Sequence, residues 1–217
     1  FTYLRSRGDA AKAEEKLSAH HVKVHSIRAN MGNEDQVAKI FDDIRTKFGV
    51  LDFLIHNAAT GDLKPVMELK TDEWQRTMDI NVRALLLCAQ HAVPLMKGRH
   101  GRIVGISSHG SQRCLSDYSA VGVAKAAIEA LCRYLALELA PKGIGVNTVM
   151  AGTTDTQSLR GIPGHEGMLH EARTKTPAGR IGHPEDIANV VTFLCSKESR
   201  WIVGQTLVAD GGYSIVA

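Results

Sequence analysis

Asp117-Tyr118-Ser119-Ala120-Val121-Gly122-Val123-Ala124-Lys125 opens a helical pattern that runs to about Ala140, where Pro141-Lys142-Gly143 stops it. An apolar, strand-like run precedes it at Arg102–Ile106, and another follows at Ile144–Val149. Strand, long helix, strand is the crossover that joins two parallel strands of one sheet. The pattern repeats outward in both directions. Phe1–Leu4, Val22–Ile27, Val50–Ile55 and Gln205–Ala209 read as further strands. Asp9–His20, Glu34–Phe48, a segment capped by Thr71 and Asp72 and running to about Met96, and Pro184–Cys195 read as helices. In Glu34–Phe48 the residues Val37, Ile40, Phe41, Ile44 and Phe48 recur at helical spacing. A stretch rich in Gly, Thr and His from Ala151 to Gly182 interrupts the alternation. The expected fold is α/β, a doubly wound parallel sheet with helices on both faces.

Composition narrows the class. At 217 residues with 44% hydrophobic content, the chain suits one large domain over residues 1–217. No apolar run approaches the length of a membrane span, and no charged-then-apolar leader is seen. Cys88, Cys114, Cys132 and Cys195 are widely spaced without a C-x-x-C, which argues against zinc and fits thiols in a reducing cytosol. A net charge of +3 without basic blocks, and only 5% aromatics, argue against a nucleic-acid binder.

In such a sheet, ligands bind beyond the carboxyl ends of the strands. The residues there are the chemically informative ones: Arg5-Ser6-Arg7, Ala29-Asn30, His56-Asn57-Ala58-Ala59, Ser107-Ser108 and Ala151-Gly152. Tyr118 and Lys125, seven residues apart, sit about 700° around a helix, about 20° short of two turns, so they project from nearly one side. An ammonium beside a phenol favours the phenolate and lowers its pKa, which suits a proton donor where charge builds on an oxygen.

These pieces together resemble the short-chain dehydrogenase/reductase family along essentially the whole chain. The resemblance rests on Asn57-Ala58-Ala59, on Asn81 within Met78-Asp79-Ile80-Asn81-Val82, and on Ser107-Ser108. It rests equally on Tyr118 with Lys125, Ala151-Gly152-Thr153-Thr154-Asp155-Thr156, Gly204-Gln205-Thr206 and Asp210-Gly211-Gly212. It implies a Rossmann-like fold and a nicotinamide cofactor. Most of the family carries Tyr-x3-Lys. Here position 122 is Gly and the spacing is Tyr-x6-Lys, which resembles the enoyl-acyl-carrier-protein reductases. Pro65–Leu69, Ser107–Gln112, Val121–Val123 and Glu129–Ala136 look most like their bacterial NADPH-dependent type III. Ser108 stands where the best-known type has an extra tyrosine, ten residues before the catalytic one.

What the resemblance implies for single residues follows. Tyr118 would donate to the thioester oxygen, Lys125 would hold the nicotinamide ribose, and Ser108 would bond the thioester carbonyl or a water. Arg5 and Ser6 stand where an acid would mark NAD; a basic fork there suits the 2′-phosphate of NADPH, since guanidinium pairs bidentately with phosphate. Asn30 and Met31 would flank adenine, Asn57 and Ala58 its ribose, and Thr154 and Thr156 the carboxamide and pyrophosphate. The expected reaction is NADPH-dependent reduction of a trans-2-enoyl thioester, on acyl carrier protein or coenzyme A, in fatty acid biosynthesis. A cytoplasmic homotetramer built on the two long helices is expected. Residues 153–175 are expected to form a lid, with Arg160, Arg173, Lys175 and Arg180 docking an acidic carrier protein. The alternatives are a ketoacyl or general carbonyl reductase of the same family, and a non-catalytic homologue acting as a binding subunit.

One departure stands out. The family opens on a strand and a Thr-Gly-x-x-x-Gly-x-Gly turn that holds pyrophosphate on a helix N-terminus. This chain begins at what reads as the second strand, so it is expected to be a fragment lacking the first strand and helix. Gly98–Gly101 and Gly161–Gly167 do not sit between a strand and a helix and do not replace that turn. Two further patterns are set aside. His165-Glu166-Gly167-Met168-Leu169-His170 places its second histidine one residue too late for H-E-x-x-H. Ser107, His109 and Asp117 share one short segment and fail the G-x-S-x-G pattern, so no hydrolase triad and no metal site are expected.

Overall fold

The computed structural model describes residues 1–160 and 164–216. Its strands are β1 (Thr2–Tyr3), β2 (Ile27–Arg28), β3 (Phe53–His56), β4 (Arg102–Ser108), β5 (Gly145–Ala151) and β6 (Thr206–Ala209). Its helices are α1 (Arg7–Ser18), α2 (Glu34–Phe48), α3 (Thr71–Met78), α4 (Ala84–Ala92), α5 (Ser119–Leu139), α6 (Gln157–Arg160), α7 (His165–Lys175) and α8 (Pro184–Cys195). All strand pairs are parallel: β1 with β2, and β3-β4-β5-β6 in that order. The fold is the doubly wound, Rossmann-like one that the alternation implies, with two differences.

First, the strands form two sheets. Between β1 and β3 lies a slot of about 990 Å³, lined by Phe1, Thr2, Phe53, Ile55 and residues of α2 and β2. Phe53 and Ile55 are consequently exposed although they belong to a strand. Second, Val22–Ser26 is not strand; only Ile27 and Arg28 pair with β1.

Two hydrophobic layers flank the four-stranded sheet. On one face α2, α4 and α5 meet β4 and β5 through Phe41, Leu85, Met96, Ile103, Ile128 and Val146, each almost fully buried. Burying one such side chain contributes roughly 1.5–3 kcal/mol. On the other face α8 packs Leu194 against Val104 and Val149. Helix α5 comes unusually close to β4 because Gly105 lacks a side chain: a Cβ there would meet Ile128 Cγ2 at 2.9 Å and Cys132 Sγ at 3.1 Å.

The long helix expected from Thr71 is one helical run whose middle, Asp79–Arg83, widens into a π turn. Its N-terminus is capped not by Thr71 and Asp72 but by Glu73, whose carboxylate accepts the Lys70 N–H at 2.9 Å. The region read as irregular from Ala151 to Gly182 contains α6 and α7. On α7 Ala172 is buried and Leu169 half-buried, whereas Met168 is exposed. Gly161-Ile162-Pro163, part of the expected lid, lie outside the described residues.

Candidate active site

The parallel strands bring their carboxyl ends to one edge, where β4, β5 and β6 end level. Strand β3 stops at His56 opposite Gly105, while β5 follows β4 to Ser108. The last residues of β4 therefore project past β3 and meet the start of α5. Tyr118 is the residue before α5, with φ −102° and ψ 11°, and its hydroxyl lies 3.2 Å from Ser108 Oγ. Lys125, buried on α5, donates to the carbonyl of Ile106 at 2.8 Å. The structure thus brings together Ser108, Tyr118 and Lys125, although Tyr118 and Lys125 each bond to β4 and not to each other.

The electrostatics correct one expectation. Lys125 does not depress the phenol's pKa. Burial holds Tyr118 above its ordinary value, and the hydrogen bond to Ser108 offsets part of that rise. Burial also lowers Lys125 to about 8, which leaves the ammonium charged at neutral pH but readily deprotonated above it. Two close approaches seat the phenol. A Cβ on Gly110 would meet the Tyr118 ring at 2.5 Å, and one on Gly122 would meet the Gly110 carbonyl oxygen at 2.6 Å. Position 122 has no room for the lysine found there in most of the resembled family.

Asn81 braces the site. Fully buried in the π turn, it accepts the Thr60 N–H at 3.1 Å and donates to the Thr60 and Thr77 carbonyls at 2.7 and 2.8 Å. Its own carbonyl lies 2.8 Å from His56 Nε2. Burial lowers His56 to about 4, with Lys125 nearby adding to the shift, so the imidazole is neutral and donates. The residue types Ser107, His109 and Asp117 do not meet. Ser107 bonds Glu129 at 2.5 Å, His109 bonds Asp210 at 3.0 Å and stacks on Tyr213, and the Asp117 carbonyl accepts the Lys64 N–H. Residue-type pattern alone pointed to neither Glu129 nor Asp210 as partners, because each lies far along the chain.

The remaining expected residues line the same edge. Arg5 and Ser6 are exposed at the start of α1; the Ser6 hydroxyl caps nothing, and neither Arg5 nor Arg7 forms an ion pair among the described residues. That leaves a free cationic fork, which fits a phosphate. Lys125 has three N–H donors and one acceptor among the described residues, which fits a second, hydroxyl-bearing partner. The Asn30 side chain closes a turn by accepting the Gly32 N–H at 3.0 Å, and Met31 packs partly into the core. Asn57 is exposed and Ala58 half-buried along the slot. Thr154 Oγ1 donates to the Gly152 carbonyl at 2.9 Å, and Thr156 Oγ1 accepts the Leu159 N–H at 3.2 Å, starting α6. Both threonines are thus engaged locally. The lid cations are largely neutralised: Arg160 pairs bidentately with Asp155, Lys175 with Glu171, and Arg180 with Asp186. Among the described residues no helix is long and apolar enough to cross a membrane.

Comparison with known proteins identifies the family. A 1-cyclohexenylcarbonyl-CoA reductase of Streptomyces collinus is 39% identical over 194 residues, covering 88% of this chain and 69% of that protein. The solved NADH-type enoyl-[acyl-carrier-protein] reductase of Aquifex aeolicus superposes with a TM-score of 0.91 at 27% identity, covering 99% of this chain and 85% of that one. The Bacillus cereus enoyl-acyl carrier protein reductase solved with NADP+ and an indole naphthyridinone superposes with a TM-score of 0.92 at 25% identity, covering 100% and 85%. The family model described as Enoyl-(Acyl carrier protein) reductase matches residues 1–214, and the chain belongs to the short-chain dehydrogenase/reductase family.

Proposed function

We propose that this oxidoreductase reduces the carbon–carbon double bond of an α,β-unsaturated acyl thioester, held on acyl carrier protein as in fatty acid synthesis or on coenzyme A, with NADPH as the reductant. The observation behind the reading is the Tyr118–Ser108 contact one helical turn ahead of where the glycine at 122 excludes a lysine, with the buried ammonium at 125 instead.

When bound, the dihydronicotinamide supplies a hydride to the β-carbon. The chain's residues do the rest. Tyr118 hydrogen-bonds the thioester oxygen where enolate charge develops, an interaction strongest in the transition state. A proton then reaches the α-carbon. Ser108 orients the phenol, and Lys125 holds the ribose and keeps a positive charge behind the developing anion. Arg5 and Ser6 receive the 2′-phosphate, Asn30 and Met31 flank the adenine, and Asn57 and Ala58 border its ribose. Thr154 and Thr156 line the nicotinamide end through local turns, and the described parts of the lid, residues 153–160 and 164–175, close over the acyl group. The exposed Tyr134 and Leu137 of α5 support a tetramer assembled on the long helices.

The test follows NADPH oxidation with crotonyl, cyclohexenylcarbonyl and acetoacetyl thioesters. Turnover of the first two, reduced on the order of 100-fold or more by Tyr118→Phe, is expected. Full activity in Tyr118→Phe, or turnover of acetoacetyl thioester alone, overturns the reading.

A further inference from the structure

The end of β4 is laced to α5 at two successive residues. Lys125 takes the Ile106 carbonyl at 2.8 Å, and the Ser107 hydroxyl donates to Glu129 Oε1 at 2.5 Å. The turn that follows closes the circuit: Ser111 Oγ lies 2.6 Å from the same Glu129 oxygen and 2.9 Å from the Ser108 carbonyl. Glu129 follows Lys125 by four residues, so the two groups stand one above the other on one face of α5. Only 6% of Glu129 is exposed, and Ser107 is 1% exposed. Carboxylates are almost never buried this far unless hydrogen-bonded, because removing the charge from water is costly. Here one oxygen gathers two hydroxyls from either side of Ser108. Ser108 itself is held at its carbonyl by Ser111 and presents its Oγ to the Tyr118 hydroxyl.

We infer that Glu129 is a positioning residue for the reaction: it anchors the Ser107–Ser111 turn so that Ser108 Oγ stays on the Tyr118 phenol. The inference rests on the role proposed for Tyr118, but the contact it concerns exists in the resting protein and is measurable there. Without the carboxylate, Ser107 loses its acceptor and Ser111 keeps only the Ser108 carbonyl, so the Ser107–Ser108 end of the turn loses its tie to α5 while His109 stays fixed by Asp210 and Tyr213. Ser108 then leaves Tyr118, and the phenol loses the one hydrogen bond that opposes the effect of its burial. A glutamine at 129 retains an acceptor oxygen and keeps the turn.

The experiment labels tyrosine ring carbon-13, assigns the Tyr118 signal by Tyr118→Phe, and compares Glu129→Ala, Glu129→Gln and Ser108→Ala, each checked for folding by circular dichroism. Glu129→Ala is expected to move the Tyr118 signal to the Ser108→Ala position, with kcat lower by about tenfold and KM for the nicotinamide cofactor within about twofold. Glu129→Gln is expected to restore most of both. Should Glu129→Ala fail to fold, the double variant Ser107→Ala/Ser111→Ala removes the same two donors and carries the same expectation. A Tyr118 signal unchanged in folded Glu129→Ala or in the serine double variant overturns the inference. Loss of the contact without any effect of Tyr118→Phe on turnover overturns the proposed reaction instead, and leaves the anchoring geometry standing.

Discussion

His56 shows how much of this site is decided one side chain at a time. A strand-end histidine before Asn57 reads in the sequence only as one of the residues at the carboxyl edge of the sheet. In the fold it is 4% exposed, donates to the Asn81 carbonyl and stands near a buried ammonium. Its pKa falls from 6.5 to about 4, chiefly through burial. A depressed pKa means the folded state binds fewer protons than the unfolded state between those values. The stability His56 protects is therefore complete above about pH 6.5 and is lost as pH falls towards 4, a swing of roughly 3 kcal/mol. Urea midpoints measured between pH 7 and pH 4.5 should drop steeply in the wild type. They should drop less in His56→Asn, which has no titrating group at that position; parallel curves would contradict the assignment. Glu129 and Asp210 belong to the same lesson. Neither partner was legible, because a carboxylate's meaning depends on which distant hydroxyl or imidazole it meets.

Among elements, α5 and the end of β4 form the working pair, and two glycines set their distance. At Gly122 two forces oppose each other. Replacing glycine by alanine inside a helix gains up to about 1 kcal/mol of intrinsic preference. The new Cβ, however, would sit 2.6 Å from a backbone oxygen and 3.4 Å from its carbon, neither of which can rotate away. Overpacking of that kind costs about 1–3 kcal/mol, so the clash wins. Gly122→Ala should unfold at lower urea and release the Tyr118 ring. Gly8→Ala on α1, where a Cβ meets nothing within 4 Å, should instead stabilise by about 0.5 kcal/mol. If both variants shift the midpoint the same way, the steric account of position 122 fails. The limits of α2 and α8 were readable in the sequence because strong terminal signals bracket a clean apolar stripe. Helix α7 was not, since Gly164, Gly167, His165 and His170 lie within or beside it and only Ala172 is buried.

Across the molecule, the chain's last described turn is tied to the centre of the site. Asp210 accepts the Gly212 and Ser214 N–H groups at 2.8 Å each and His109 Nε2 at 3.0 Å, while Arg113 donates to the Ser214 carbonyl at 2.6 Å. Burial pushes the Asp210 carboxyl up, but the hydrogen bonds from Ser214 and Gly212 and the nearby His109 more than offset it, leaving the pKa below the ordinary value. For a carboxyl lowered in the folded state, the stabilisation is present above the unfolded value of about 3.9 and disappears as pH falls through the folded one. Asp210→Asn should cost about 1–3 kcal/mol at pH 6 in chemical denaturation. The difference from wild type should shrink on acidification towards pH 3; a difference that stays constant or grows would refute the clamp.

The sequence by itself determined the alternation of strands and helices, the parallel sense of the sheet and which residues reach its carboxyl edge. Those follow from local periodicity, from stop signals such as Pro141-Lys142-Gly143 and from the short connections the chain permits. The family was equally legible, because its motifs are short and ordered. Tertiary structure alone decided the rest: the burial that raises the Tyr118 phenol against the expected pull of Lys125, and the pairing of lid cations with their own acids. Each of these depends on desolvation or on contacts between residues far apart in the chain, and spacing along a sequence encodes neither.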